Sequence, residues 1–136
     1  MKPIRLAIAD DYAVFRDGLK AILSGDETVE VVAEADNGAE LLEQLARVEV
    51  DVIFMDLKMP VMGGMEATRK VRELYPHIKV LVISMYEDQR FITHLVEIGA
   101  NGYLLKNAEP DDIRMAILAV MENGYFFNEP IDNRLL

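Results

Sequence analysis

The sequence predicts a single α/β domain built on a doubly wound parallel sheet of five strands and five helices. Five short β-like runs alternate strictly with five stretches of helical periodicity, an order that means parallel strands joined by right-handed crossovers. The third and fourth runs, "VDVIFMD" and "KVLVISM", are nearly all apolar, as befits strands covered by helices on both faces. Turn residues mark the boundaries, and 136 residues suit one domain with a substantial core.

Each element has its own signature. "IRLAIAD" (4–10) is the first strand. In the helix predicted over 12–24, Phe15, Leu19, Ile22 and Leu23 share one face. "VEVVAEA" (29–35) is the second strand, and the turn "DNG" leads into a helix over 38–47. The third strand spans 50–56; "MGG" opens the helix over 64–75, which "YPH" closes. The fourth strand spans 79–85 and its helix 88–98. "GANG" then precedes "GYLLK" (102–106), the fifth strand. In the last helix, over 110–122, Ile113, Ala116, Ile117, Val120 and Met121 form one face before "NG" at 123–124.

Composition narrows the function classes. Apolar residues are 51% and charged residues 28%, the mix of a soluble globular protein. A formal net charge of -10 argues against non-specific nucleic-acid binding by this chain itself. The absence of cysteine excludes disulfides and thiolate metal sites. No apolar run reaches the length of a membrane span, and the first residues turn acidic too soon for a signal peptide. The cytoplasm is the expected compartment.

In open α/β sheets, sites form beyond the carboxyl ends of the strands. The first strand ends in Asp10-Asp11, the third in Asp56, the fourth at Ser84-Met85 and the fifth at Lys106. Clustered acids repel one another unless a cation sits among them. Oxygen donors without Cys or His suit a hard ion such as Mg2+, which takes one or two carboxylates plus a phosphate oxygen. Lys106 offers an ammonium, and Ser84 a hydroxyl, to an anion beside it. Aspartate is a known covalent nucleophile in phosphoryl chemistry, so Asp56 is the expected phosphoacceptor.

These residues resemble the receiver domain of two-component response regulators, over nearly the whole chain. The pair Asp10-Asp11, the segment "MDLKMPVMGG" (55–64), Ser84, and "GANGYLLK" (99–106) stand in that family's order and spacing. The resemblance implies a flavodoxin-like strand order 2-1-3-4-5. It implies Mg2+ held by Asp11, Asp56 and the backbone carbonyl of Lys58, with Asp10 acting mainly through water. Ser84 and Lys106 would hold the phosphoryl oxygens, and Ser84 and Tyr103 would form the switch. A sensor histidine kinase would be the donor, and the domain would catalyse only its own phosphorylation and dephosphorylation. Lys58 and Tyr86 occupy family-variable positions beside the site and are expected to tune phosphoryl lifetime. Asn107 stands where the family often has proline after the lysine, commonly with a cis bond, so the peptide geometry there is left open.

The last segment, "GYFFNEPIDNRLL" (124–136), is similar to the stretch just after the receiver in LuxR/FixJ-type (NarL-like) regulators. Residues 1–123 are thus expected to be the receiver. Residues 124–136 would be a tail or the start of a linker to a DNA-binding domain that this chain lacks. DNA contact and transcriptional control would run through that domain. A stand-alone receiver acting by protein–protein contact is the alternative. A weak homodimer is expected through the first and fifth helices, combining "RDGLK" with "IRMAILAV".

Taken singly, each residue has a plainer reading. Asp10-Asp11 alone reads equally well as a helix cap, Asp56 as the start of a loop, Ser84 as a small strand-end residue, and Lys106 as a surface charge. Tyr103 in a strand reads as core, and His77 and His94 as surface or packing residues. "DNGAE" lacks calcium-loop spacing and reads as a turn. The eight methionines are scattered filler. A dehalogenase-like aspartyl phosphatase would need a second acid two residues after Asp56, where Lys58 stands. A flavin-mononucleotide binder would need a hydroxyl- and glycine-rich loop where "DDYAVF" stands. The convergence of four strand ends favours the phosphoacceptor.

Overall fold

The computed structural model describes residues 2–85 and 89–127. Its elements run β1 (Ile4–Ala9), α1 (Ala13–Leu23), β2 (Val29–Ala35), α2 (Gly38–Leu45), β3 (Val52–Asp56), α3 (Gly64–Leu74), β4 (Lys79–Ser84), α4 (Gln89–Glu97), β5 (Gly102–Leu105), α5 (Pro110–Asn123) and β6 (Phe126–Phe127). The strands form one sheet in the order β2-β1-β3-β4-β5-β6, with every pairing parallel. The doubly wound, flavodoxin-like arrangement is therefore the observed one, with five helices among the described residues. Tyr86, the start of the predicted fourth helix and residues 128–136 lie outside the described residues. Among those described, no helix is long and apolar enough to cross a membrane.

The period of two along each strand explains the continuous apolar runs. On β3, Val52 and Phe54 join a core with Leu19 and Leu23 of α1 and Ile113, Ala116, Ile117 and Val120 of α5. Ile53 and Met55, alternating with them, join the opposite core with Leu41 of α2, Val71 of α3 and Leu95 of α4. All four are fully buried, so neither face of β3 leaves room for a polar residue before Asp56. Met121, expected on the buried face of α5, is 41% exposed. It sits one position past Val120, where the helix has turned its face outward.

The expected five strands become six. β6 falls in the segment set apart as a tail, and its two residues carry no period from which a strand can be read. It forms because Asn101 prepares the edge. The Asn101 amide donates to the Val80 carbonyl (2.8 Å), and Phe126 donates to the Asn101 carbonyl (2.8 Å). The Asn101 side chain accepts from the Val80 amide (2.9 Å) and donates to the Gly124 carbonyl (3.0 Å). Gly102 admits the approach, since a Cβ there would stand 2.6 Å from the Phe126 carbonyl oxygen.

Candidate functional site

β1 continues its ladder one residue past its end, the Asp10 amide donating to the Ala35 carbonyl (3.0 Å). Asp10 is fully buried, and among the described residues its Oδ2 has no hydrogen-bond partner, only an ion pair. Its carbonyl accepts from Arg16 Nη1, and its Oδ1 accepts from the Tyr12 amide (2.8 Å). Its Oδ2 lies 2.8 Å from Lys106 Nζ. Asp11, next in the chain, is exposed. Asp56 ends β3 opposite Ile83 of β4 and is 7% exposed. Oxygens of Asp10, Asp11 and Asp56 all lie within 4.8 Å of one another.

Two further strand ends reach the same place. Ser84 is buried at the end of β4, and its carbonyl accepts from the Lys106 amide (2.8 Å), so the two residues are locked in register. Lys106 leaves β5 with its Nζ 3.5 Å from Asp56 Oδ1 and 4.6 Å from the centre of the Phe15 ring. Asp11, Asp56, Lys58, Ser84 and Lys106 line a cleft of about 960 Å³ whose apolar wall is Phe15, Leu19 and Ile22 of α1.

The loop after β3 is held by its backbone. Gly64 donates to the Leu57 carbonyl (2.9 Å), and a Cβ on Gly64 would fall 2.1 Å from the Asp56 carbonyl oxygen. Met62 donates to the Pro60 carbonyl (2.7 Å) across Val61, whose φ of 67° is a strained value for a β-branched residue. The Met62 carbonyl in turn accepts from Gly38 at the start of α2 (2.9 Å). Asp56 therefore stands at a strand end whose following loop gives it little freedom to retreat.

Retreat would be favourable electrostatically. Burial pushes the Asp56 carboxyl up to about 6, the Asp10 charge adds to the rise, Lys106 opposes it, and Asp11 adds a smaller push. Among the described residues one ammonium pairs with two of the three carboxylates, Asp10 and Asp56, so the cluster carries more negative than positive charge. All of its donors are oxygens, with no His or Cys among them, at a spacing a small hard cation would bridge. The residues fit Mg2+.

The model of the "Response regulator receiver domain" family matches residues 6–118. The chain belongs to that family. The receiver is 38% identical over 133 residues to the transcriptional regulatory protein DegU of Brevibacillus brevis, a match covering 98% of this chain and 56% of that protein. The chain thus spans little more than half of that relative's length. Among solved structures, a LuxR-family two-component response regulator from Aurantimonas sp. SI85-9A1 aligns with a TM-score of 0.86 and 30% identity. That alignment covers 94% of this chain and 91% of that one. The isolated receiver domain of RcsB from Salmonella enterica serovar Typhimurium, solved in the presence of the phosphomimetic BeF3-, aligns with a TM-score of 0.86 and 25% identity, over 98% of this chain and 99% of that one.

The receiver brings Asp10, Asp11, Asp56, Lys58, Ser84 and Lys106 to one rim. Tyr103 is apart from them: it is 3% exposed, paired with Val82, in the core beneath α4. The Lys106–Asn107 peptide is trans. His77 is exposed, and His94 Nε2 lies 3.4 Å from Arg69 on the surface. Asn37 of "DNG" caps α2, accepting from the Glu40 amide (2.9 Å). Two residues of the site were not singled out for it from sequence. Helical periodicity placed Phe15 on the buried face, but only the packing of α1 sets its ring over Lys106. Arg16, expected on an outer face, is 16% exposed at its side chain and turned toward the end of β2. Lys20 likewise turns to Glu34 (2.9 Å).

Proposed function

We propose that this receiver accepts a phosphoryl group on Asp56 with the help of Mg2+, and that the modified form switches an output. The observation that carries this reading is a buried carboxylate at a strand end, crowded by two more acids and touched by a single lysine among the described residues. The Asp11 and Asp56 carboxylates and the Lys58 carbonyl would hold the cation, with Asp10 acting through water. When bound, the ion offsets carboxylate charge as a phosphate dianion approaches. An Asp56 oxygen attacks phosphorus, the phosphorus–nitrogen bond of a phosphohistidine breaks, and the imidazole leaves carrying a solvent proton. Lys106 and the Ser84 hydroxyl then bind phosphoryl oxygens. Attack of water on phosphorus later returns the carboxylate and free phosphate.

The donor would be a sensor histidine kinase in the cytoplasm. Drawing Ser84 toward the phosphoryl group biases Tyr103 inward, the position its ring holds here, and so alters the surface of α4, β5 and α5. A few kcal/mol separate such states, so one charge-assisted contact is enough to shift them. Residues 1–123 would be the receiver, and 124–136 the lead into an effector that binds DNA and controls transcription. A homodimer would form through α1 and α5, which lie side by side within the chain, Arg114 Nη2 donating to the Ile22 carbonyl (2.8 Å). Exposed Val14, Met115 and Leu118 offer apolar surface on the same two helices.

Incubation with a small acyl phosphate and Mg2+ should add one phosphoryl group by intact mass. Asp56→Asn and excess chelator should each abolish it. Full labelling of Asp56→Asn would overturn the assignment.

A further inference from the structure

The acidic pair needs something behind it. Asp10 and Asp11 belong to a short connection between β1 and α1, and each faces the repulsion of the other and of Asp56. Lys106 relieves Asp10 and Asp56 from the cleft side. On the far side, Arg16 reaches back from the first turn of α1. Its Nη1 donates to the Asp10 carbonyl and to Asp36 Oδ1 (2.8 Å), and its Nε donates to Glu34 Oε1 (3.3 Å). Glu34 is also held by Lys20 (2.9 Å). The guanidinium thus bridges the end of β2 to the backbone carbonyl of Asp10.

We infer that Arg16 is a positioning residue: it clamps the Asp10 carbonyl against β2 and so sets where Asp11 stands to meet a cation. The inference rests on the proposed cation site but has a metal-free consequence. A planar fork is suited to several acceptors at once; a lysine at this position keeps the charge and loses the fork. Residues that orient ligands indirectly typically change metal affinity by about 10-fold or more when removed.

The test is amide hydrogen exchange in chelator, paired with Mg2+ titration followed by tyrosine fluorescence. In Arg16→Met, the Tyr12 amide, which donates to Asp10 Oδ1, should exchange about 10-fold faster, while Phe54 and Leu81 in the sheet keep the parent's rates. The Mg2+ Kd should rise about 10-fold, and Arg16→Lys should fall between the two. A purely structural role would speed exchange throughout the sheet and leave Mg2+ affinity alone. If Arg16→Met does not fold, Asp36→Asn decides, with the same changes expected at about 3-fold. Parent-like exchange at Tyr12 in the deciding variant would overturn the inference. A parent protein that neither binds Mg2+ nor labels would overturn the proposed function instead, and the exchange measurement would still judge Arg16.

Discussion

At the amino-end rim of the sheet, Arg5 of β1 meets Glu49 and Asp51; at the carboxyl-end rim, Lys106 meets Asp10 and Asp56, with Asp11 beside them. Both clusters set one cation among several acids. The first is closed. Asp51 accepts from the Arg5 amide (2.8 Å), Nε (3.2 Å) and Nη2 (3.0 Å), and the guanidinium holds the Asp51 carboxyl below the usual carboxylate range. The second is open. A single ammonium is shared, Asp56 has little access to water, and its carboxyl is pushed up to about 6. Charge that is answered within the fold serves structure. Buried charge left unanswered waits for something from outside.

The largest effect expected concerns the backbone that forces the open rim to stay open. Gly64→Ala places a methyl group against the Asp56 carbonyl and should cost about 3 kcal/mol in urea unfolding. A parent-like midpoint would show that the loop can yield, and that Asp56 is not held there against its preference.

Neutralising one acid at each rim should next give opposite signs. Asp51→Asn removes a carboxylate from the closed cluster and should destabilise by roughly 1 kcal/mol. Asp56→Asn relieves the open one and should stabilise the metal-free protein at neutral pH by about 1–2 kcal/mol, allowing for solvent screening. The pH dependence carries the same sign. The native Asp56 carboxyl keeps its proton up to about 6, whereas in the unfolded chain it loses the proton near 3.8. Between those values the folded state binds more protons, so this group's contribution to stability falls as pH rises and is fully lost above the upper one. The difference between parent and Asp56→Asn should therefore grow from about pH 4 to 6 and then level off. Equal curves for the two proteins would refute the open-rim account. The smallest effect is at Phe15. Phe15→Leu keeps an apolar wall but loses the ring face under Lys106, and should slow labelling by about 2–5-fold with an unchanged melting midpoint.

The contrast also shows what a sequence can disclose. Alternation and apolar runs made the sheet legible, because a strand buried on both faces tolerates few other residues, and strand ends came with the strands. Asp10, Asp11, Asp56, Ser84 and Lys106 were each readable as the last residue before a loop. Phe15 and Arg16 were not, because their roles depend on how α1 is rotated against β2 and β5, and helical periodicity gives a buried face without naming its neighbours. β6 was invisible for a different reason. Its pairing is made by the side chain of Asn101 and the bare backbone of Gly102, and neither leaves a pattern in the "YFF" that pairs with them.

That small sixth strand has a consequence for direction. The chain leaving α5 does not swing from the Gly124 turn; it is stitched at Phe126 and Phe127 to β5, beside Gly102 and Tyr103. Asn101 rivets the same point to β4. The end of the described chain is therefore a fixed berth on the sheet edge. A shift of β5 by a fraction of an ångström near Tyr103 would carry Phe126 and Phe127 with it.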